Sequence, residues 1–135
     1  CEGAGLLVMA AAVSDYRPEA ESSSKLKKTD QDLVLRLVEN RDILADVSYP
    51  GLVKVGFAAE TENLLENARA KLERKALHMV VANDAAPTIG AREAALTLVD
   101  VEGRSTELGS LSKGEAARKV IEAASALLPR VKEDG

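Results

Sequence analysis

The sequence predicts an α/β fold, a three-layer arrangement with a mostly parallel sheet and helices on both faces, closed by a C-terminal hairpin and helix. Three observations predict it. Short β-rich segments at Leu6–Ala11, Leu52–Phe57 and His78–Ala82 read as strands buried inside a sheet. An amphipathic helical pattern separates the second from the third, and alternation of that kind gives a parallel sheet covered by helices. Two more strand patterns flank Val101-Glu102-Gly103, and a capped helix follows.

The elements follow in order. Leu6–Ala11 is a continuous apolar run. From Ser14 to Asp32 the chain turns polar, with Pro18, Ser22-Ser23-Ser24 and Lys25-Leu26-Lys27-Lys28. That stretch is too long and polar for an ordinary connection, so it is either a functional loop or disordered. Leu33–Val38 alternates in part and reads as a strand, and Asp42–Val47 is a short helical pattern closed by Tyr49-Pro50-Gly51. Thr61 is placed to cap a helix from Glu62 to about Leu77, where Leu64, Leu65, Ala68 and Leu72 recur at helical spacing. A loop with Pro87 and Gly90 leads to the hairpin strands Ala95–Asp100 and Arg104–Glu107. Ser112 and Glu115 form a capping box that opens a helix to Leu128, stopped by Pro129.

The 135 residues suit one domain, and with only Tyr16, Tyr49 and Phe57 aromatic the core is built from Ala, Leu, Val and Ile. A net charge of -4 argues against a general nucleic-acid surface, while leaving room for a few lysines to hold a small anion. One cysteine, Cys1, excludes an internal disulfide, and a single histidine excludes a Cys/His metal cluster. A reducing, cytoplasmic setting fits. No apolar run approaches the roughly 20 residues that span a bilayer, and no signal peptide is visible. The chain starts at Cys1 and runs at once into a strand, so we expect a fragment of a longer polypeptide.

Ligands of such sheets bind at the carboxyl ends of the strands. That rule selects the segments after Ala11, Phe57 and Ala82. Ala10-Ala11-Ala12-Val13-Ser14-Asp15-Tyr16-Arg17-Pro18 offers small residues for close backbone approach and a carboxylate at Asp15, or it is an ordinary polar turn. Lys25-Leu26-Lys27-Lys28 suits a lid over phosphates, or a solvated basic loop. In Gly56-Phe57-Ala58-Ala59-Glu60-Thr61, Gly56 permits close packing, and Phe57 is either a wall for a base or a core residue. Lys71 and Lys75 share one helix face, where two like charges suit an anion between them or plain solvation. Ala82-Asn83-Asp84 is a binding loop or a turn.

Taken in order with Asn40-Arg41-Asp42-Ile43-Leu44, these segments resemble the phosphopantothenate–cysteine ligase domain family over about residues 6–128. The resemblance implies a Rossmann-like fold lacking its N-terminal segment, with a ligase domain over residues 1–131 and a frayed tail over 132–135. It implies coenzyme A biosynthesis: CTP activates the carboxylate of 4'-phosphopantothenate as an acyl-cytidylate, cysteine displaces CMP, and Mg²⁺ accompanies the triphosphate. Lys25 is implied as the mobile catalytic lysine. Met9, Ala10, Ala11, Asp15, Lys25, Arg41, Asp42, Ile43, Leu44, Phe57, Lys71 and Lys75 are implied as nucleotide contacts. No metal ligand is assigned. The family usually has proline where this chain has Arg41, which frees the turn while keeping its backbone donors. A homodimer and a preceding flavin-dependent decarboxylase domain are also implied, with no nucleic-acid or membrane partner. The rival reading is a non-catalytic nucleotide-binding or dimerisation fragment. A Rossmann-type oxidoreductase is disfavoured, because no G-x-G-x-x-G follows a strand.

Overall fold

The structure, a computed structural model, describes residues 3–28, 32–60, 62–84 and 93–129. In chain order the elements among them are β1 (Leu6–Met9), β2 (Tyr16–Pro18), β3 (Leu37–Glu39), α1 (Ile43–Asp46), β4 (Val53–Glu60), α2 (Leu64–Arg74), β5 (Met79–Asp84), β6 (Glu93–Asp100), β7 (Ser105–Ser112) and α3 (Lys113–Ala126). They fall into two compact units. The described residues up to Ala10 and from Leu44 onward form the first, and 11–43 form the second.

The first unit is a sheet of order β1-β4-β5-β6-β7. β4 pairs in parallel with β1 and β5, while β6 and β7 add two antiparallel pairings. The predicted three-layer α/β architecture is what forms: parallel through its first three strands, then extended by the hairpin into a mixed sheet. Alternation along each strand sorts the core into two faces. Val53, Val55, Met79, Val81, Leu96 and Leu98 meet Ala116, Val120 and Ala124 of α3. Ala58, Val80, Ala82 and Val99 meet Ala68 and Leu72 of α2, together with Leu44 and Leu77. Val55, Val80, Val81 and Val99 are fully buried, and each such burial contributes about 2 kcal/mol.

The ends of these elements explain their lengths. The Ser112 hydroxyl and the Glu115 carboxylate cap α3 reciprocally, as the sequence predicts. At the other end of the chain order, α2 closes with Ala76 at φ 47, the Ala76 N–H donating to Glu73 O and the Leu77 N–H to Leu72 O. This is a Schellman closure with alanine in the position glycine usually takes. The β6–β7 turn is held by Asp100: Oδ1 accepts from the Glu102 and Arg104 N–H groups, and Oδ2 from Arg104 Nε at 2.8 Å. Burial raises the Asp100 pKa, but these hydrogen bonds and the Arg104 charge outweigh it and hold the carboxyl below its ordinary value.

Several boundaries differ from expectation. β1 ends at Met9, not Ala11, and β4 continues to Glu60. β5 runs through Asn83 and Asp84, which pair with Ala59 and Glu60, so these two polar residues extend the ladder instead of following it. α2 spans Leu64–Arg74, and the expected cap Thr61 lies outside the described residues. The N-cap is Asn63, in a left-handed conformation. β7 extends to Ser112, with a register shift between Leu96 and Thr97 that absorbs an extra residue near Gly109. The expected tail, and the loop with Pro87 and Gly90, also lie outside the described residues.

The second unit corrects two readings. The polar stretch after Ser14 contains β2, and the strand expected over Leu33–Val38 shrinks to Leu37–Glu39, paired antiparallel with β2. Leu33, Val34 and Leu35 are exposed and outside any strand. Their β-propensity finds no neighbouring strand to pair with among the described residues.

Candidate functional site

The rim at the carboxyl ends of β1 and β4 is built by a mismatch in strand length. β1 makes its last pairing through Met9 and Gly56, but β4 continues for four more residues. The Val53 N–H donates to Gly5 O on the β1 side, whereas Lys54 O accepts from the His78 N–H on the β5 side. Residues of a parallel strand alternate sides, so the Phe57 carbonyl turns toward β1 just where β1 has stopped. Lys71 Nζ, reaching back from α2, donates to that carbonyl. A half-buried ammonium therefore stands in the notch beyond Met9.

Gly56 makes room beside it. A Cβ there would lie 2.8 Å from Leu77 Cδ1 and 3.1 Å from Leu44 Cδ2, so the Leu44 side chain packs over the glycine itself. Leu44 is buried, while Met9 is half-buried and Ala10 exposed. The first unit thus gathers Met9, Leu44, the Phe57 main chain and Lys71. Lys75 caps the end of α2 one turn further on, where its carbonyl accepts from Lys54 Nζ near the amino end of β4. The Phe57 ring goes elsewhere: it packs with the cluster under α3, on the opposite face from α2.

The second unit gathers another subset. The Asn40 N–H donates to Asp15 O and Asn40 Nδ2 to Ser14 O, each near 2.8 Å. Arg17 Nη1 donates to Glu39 O at 2.9 Å and to Asn40 Oδ1 at 3.1 Å. This knot sets Asp15 beside Arg41 and Asp42, all three exposed, with Ile43 next in the chain. Ala11 is exposed ahead of it. Lys25 is exposed too, directly after a turn in which Ser22 Oγ donates to Ser24 O, and no described hydrogen bond draws it into the knot.

Sequence reasoning missed Lys54 and His78. Lys54 is 4% exposed, and its ammonium donates to Leu44 O at 3.0 Å and Lys75 O at 2.8 Å. His78 Nδ1 accepts from the Lys54 N–H at 3.1 Å, which leaves the proton of the neutral ring on Nε2. The signal was present: Lys54 is the one charge inside the run Leu52–Phe57. A cleft of about 300 Å³ near Tyr49, Lys54 and His78 lies at the amino ends of the strands, away from Met9 and the Phe57 carbonyl. Among the described residues, no three of His, Cys, Asp or Glu converge as a metal cage. No described helix is long and apolar enough to cross a membrane.

Residues 1–127 match the family described as DNA/pantothenate metabolism flavoprotein C-terminal domain. The chain is 37% identical over 121 residues to the coenzyme A biosynthesis bifunctional protein CoaBC of Haemophilus influenzae, covering 86% of this chain and 30% of that protein. Among solved structures it is similar to the C-terminal domain of a coenzyme A biosynthesis bifunctional protein CoaBC, with TM-score 0.72 and 30% identity over 93% of this chain and 55% of that one. A Cab2 variant in complex with phosphopantothenate-cysteine shares the fold at TM-score 0.63 and 20% identity, over 90% of this chain and 44% of that one. The chain thus spans about a third of the length of the curated relative.

Proposed function

Because the chain belongs to the DNA/pantothenate metabolism flavoprotein C-terminal domain family, we propose that it forms the nucleotide-binding part of a phosphopantothenate–cysteine ligase acting in coenzyme A biosynthesis. A carboxylate is a poor acyl donor. In this reading the carboxylate of 4'-phosphopantothenate attacks the α-phosphate of CTP, forming an acyl-cytidylate and releasing pyrophosphate. The cysteine amine then attacks the acyl carbon, forms the amide and expels CMP. The enzyme works in the cytoplasm as a homodimer, and a flavin-dependent decarboxylase domain precedes the ligase in the complete protein.

The observation that best supports this reading is the Lys71 ammonium at the end of β1, held by the Phe57 carbonyl. It puts positive charge at the rim where an α/β sheet takes its ligand. Lys71 and Lys75 would meet phosphate oxygens, Met9, Ala10, Ala11 and Leu44 would contact the nucleotide, and Asp15 with the Arg41–Ile43 turn would hold base or sugar. Lys25, exposed and next to a serine turn, is free to follow charge as it develops on the reacting phosphate. Mg²⁺ would enter with the triphosphate, held mainly by its phosphate oxygens, and would neutralise part of their charge.

The test uses the complete protein with CTP, 4'-phosphopantothenate and cysteine. Pyrophosphate release that requires phosphopantothenate marks a ligase, and its absence with intact CTP binding marks a mere nucleotide binder. Lys25→Gln is expected to lower kcat about 100-fold with little change in the KM for CTP. Parental activity in that variant removes Lys25 from the mechanism.

A further inference from the structure

We propose that Lys54 is a positioning residue for nucleotide binding, its buried ammonium fixing the distance between the Leu44 main chain and the C-terminal end of α2. The proposal rests on the ligase reading, in which Leu44 and Lys75 both touch the nucleotide. Lys54 is the one charged side chain classed as buried among the described residues. It donates to Leu44 O at 3.0 Å and to Lys75 O at 2.8 Å, so a single atom joins two segments 31 positions apart in the chain.

Both acceptors are main-chain carbonyls, one in α1 and one at the C-cap of α2. The closure of α2 uses the oxygens of Lys71, Leu72 and Glu73, and the oxygen of Lys75, beyond them, accepts from Lys54. A cation at a helix C-terminus is favourable in sign. Yet burying an ammonium carries a large desolvation cost, and an apolar side chain of similar size in such a place is often neutral or better for stability. The face of β4 that Lys54 shares with Ala58 is otherwise aliphatic, with Leu44, Leu77 and Val80 buried against it. What an aliphatic residue cannot supply is a directional tie to two main-chain oxygens. The tie acts where it matters: the Leu44 side chain lies over Gly56, next to the Phe57 carbonyl that holds Lys71. A shift of Leu44 relative to α2 would separate the contacts made to one nucleotide.

The test is CTP affinity by calorimetry and the KM values for CTP and cysteine, in the complete protein. Lys54→Met is expected to raise the Kd and KM for CTP about tenfold while leaving the KM for cysteine unchanged. Lys54→Gln, which keeps a donor, should show a smaller shift in the same direction, and Lys54→Arg should restore most of the affinity. Val120→Ala, in the cluster under α3, controls for general loosening and should leave CTP affinity intact. The proposal is overturned if folded Lys54→Met or Lys54→Gln binds CTP like the parent, or if Val120→Ala weakens CTP as much. It is also overturned if neither Lys54→Met nor Lys54→Gln can be obtained folded, since Lys54 is then a folding determinant. A parent that binds no CTP fails the ligase reading itself, an outcome distinct from parental binding that the variants leave unchanged.

Discussion

At the scale of single residues, glycine and lysine carry the rim. Gly56 was legible in the sequence, because a glycine within a buried strand signals a close approach. The structure supplies what approaches, namely the Leu44 and Leu77 side chains. Gly56→Ala is expected to destabilise the protein by about 1 kcal/mol through overpacking, read as a lower Tm. An unchanged Tm would mean that the two leucines yield freely. Lys54 was less legible. Its charge stands out among apolar neighbours, but the sequence alone does not say that two distant carbonyls converge on it. Phe57 divides in the same way: its place in a buried strand could be read, but the strand runs on to Glu60, and the face its ring takes depends on strand register.

At the scale of elements, local signals were read best. The capping box of α3 is formed as its sequence implies, and it carries a pH dependence. The hydrogen bond from the Ser112 hydroxyl, then that from its N–H, lowers the Glu115 pKa. A depressed carboxylate contributes stability that is present above its unfolded pKa and lost as pH falls through the folded one. Ser112→Ala should therefore lower stability at neutral pH. Denaturant titrations at decreasing pH should show that difference shrinking once Glu115 protonates, and a pH-independent difference would remove the carboxylate from the cap. Partner-dependent elements were read worst. β2 lies in a polar stretch with no pattern of its own, and it is defined by its antiparallel pairing with β3 about twenty positions away, to which Arg17 adds a bond to Glu39 O. Leu33 to Leu35 have strand propensity without a neighbour, and propensity alone does not make a strand.

At the scale of the whole molecule, the three-layer plan was legible because buried runs and amphipathic helices alternate along the chain. The division into two units was not, since it depends on which contacts the 11–43 segment keeps to itself. That segment exposes Leu33 at 68%, Val34 at 87%, Leu35 at 59% and Leu37 at 54%. Contiguous apolar exposure of this kind marks an interaction surface, and it supports the proposed homodimer. Val34→Asp is expected to shift the protein toward monomer in sedimentation at micromolar concentration without lowering its Tm. An unchanged mass would move the dimer contact to another surface.

The notch beyond Met9 also limits what mutagenesis can see. The atom that receives Lys71 there is a main-chain oxygen, and every amino acid carries one. An alanine scan would score Phe57 by the packing its ring loses under α3 and remain blind to the oxygen on the other side. Only a change to the backbone itself, such as an amide-to-ester replacement that weakens the acceptor, addresses the group the ammonium holds.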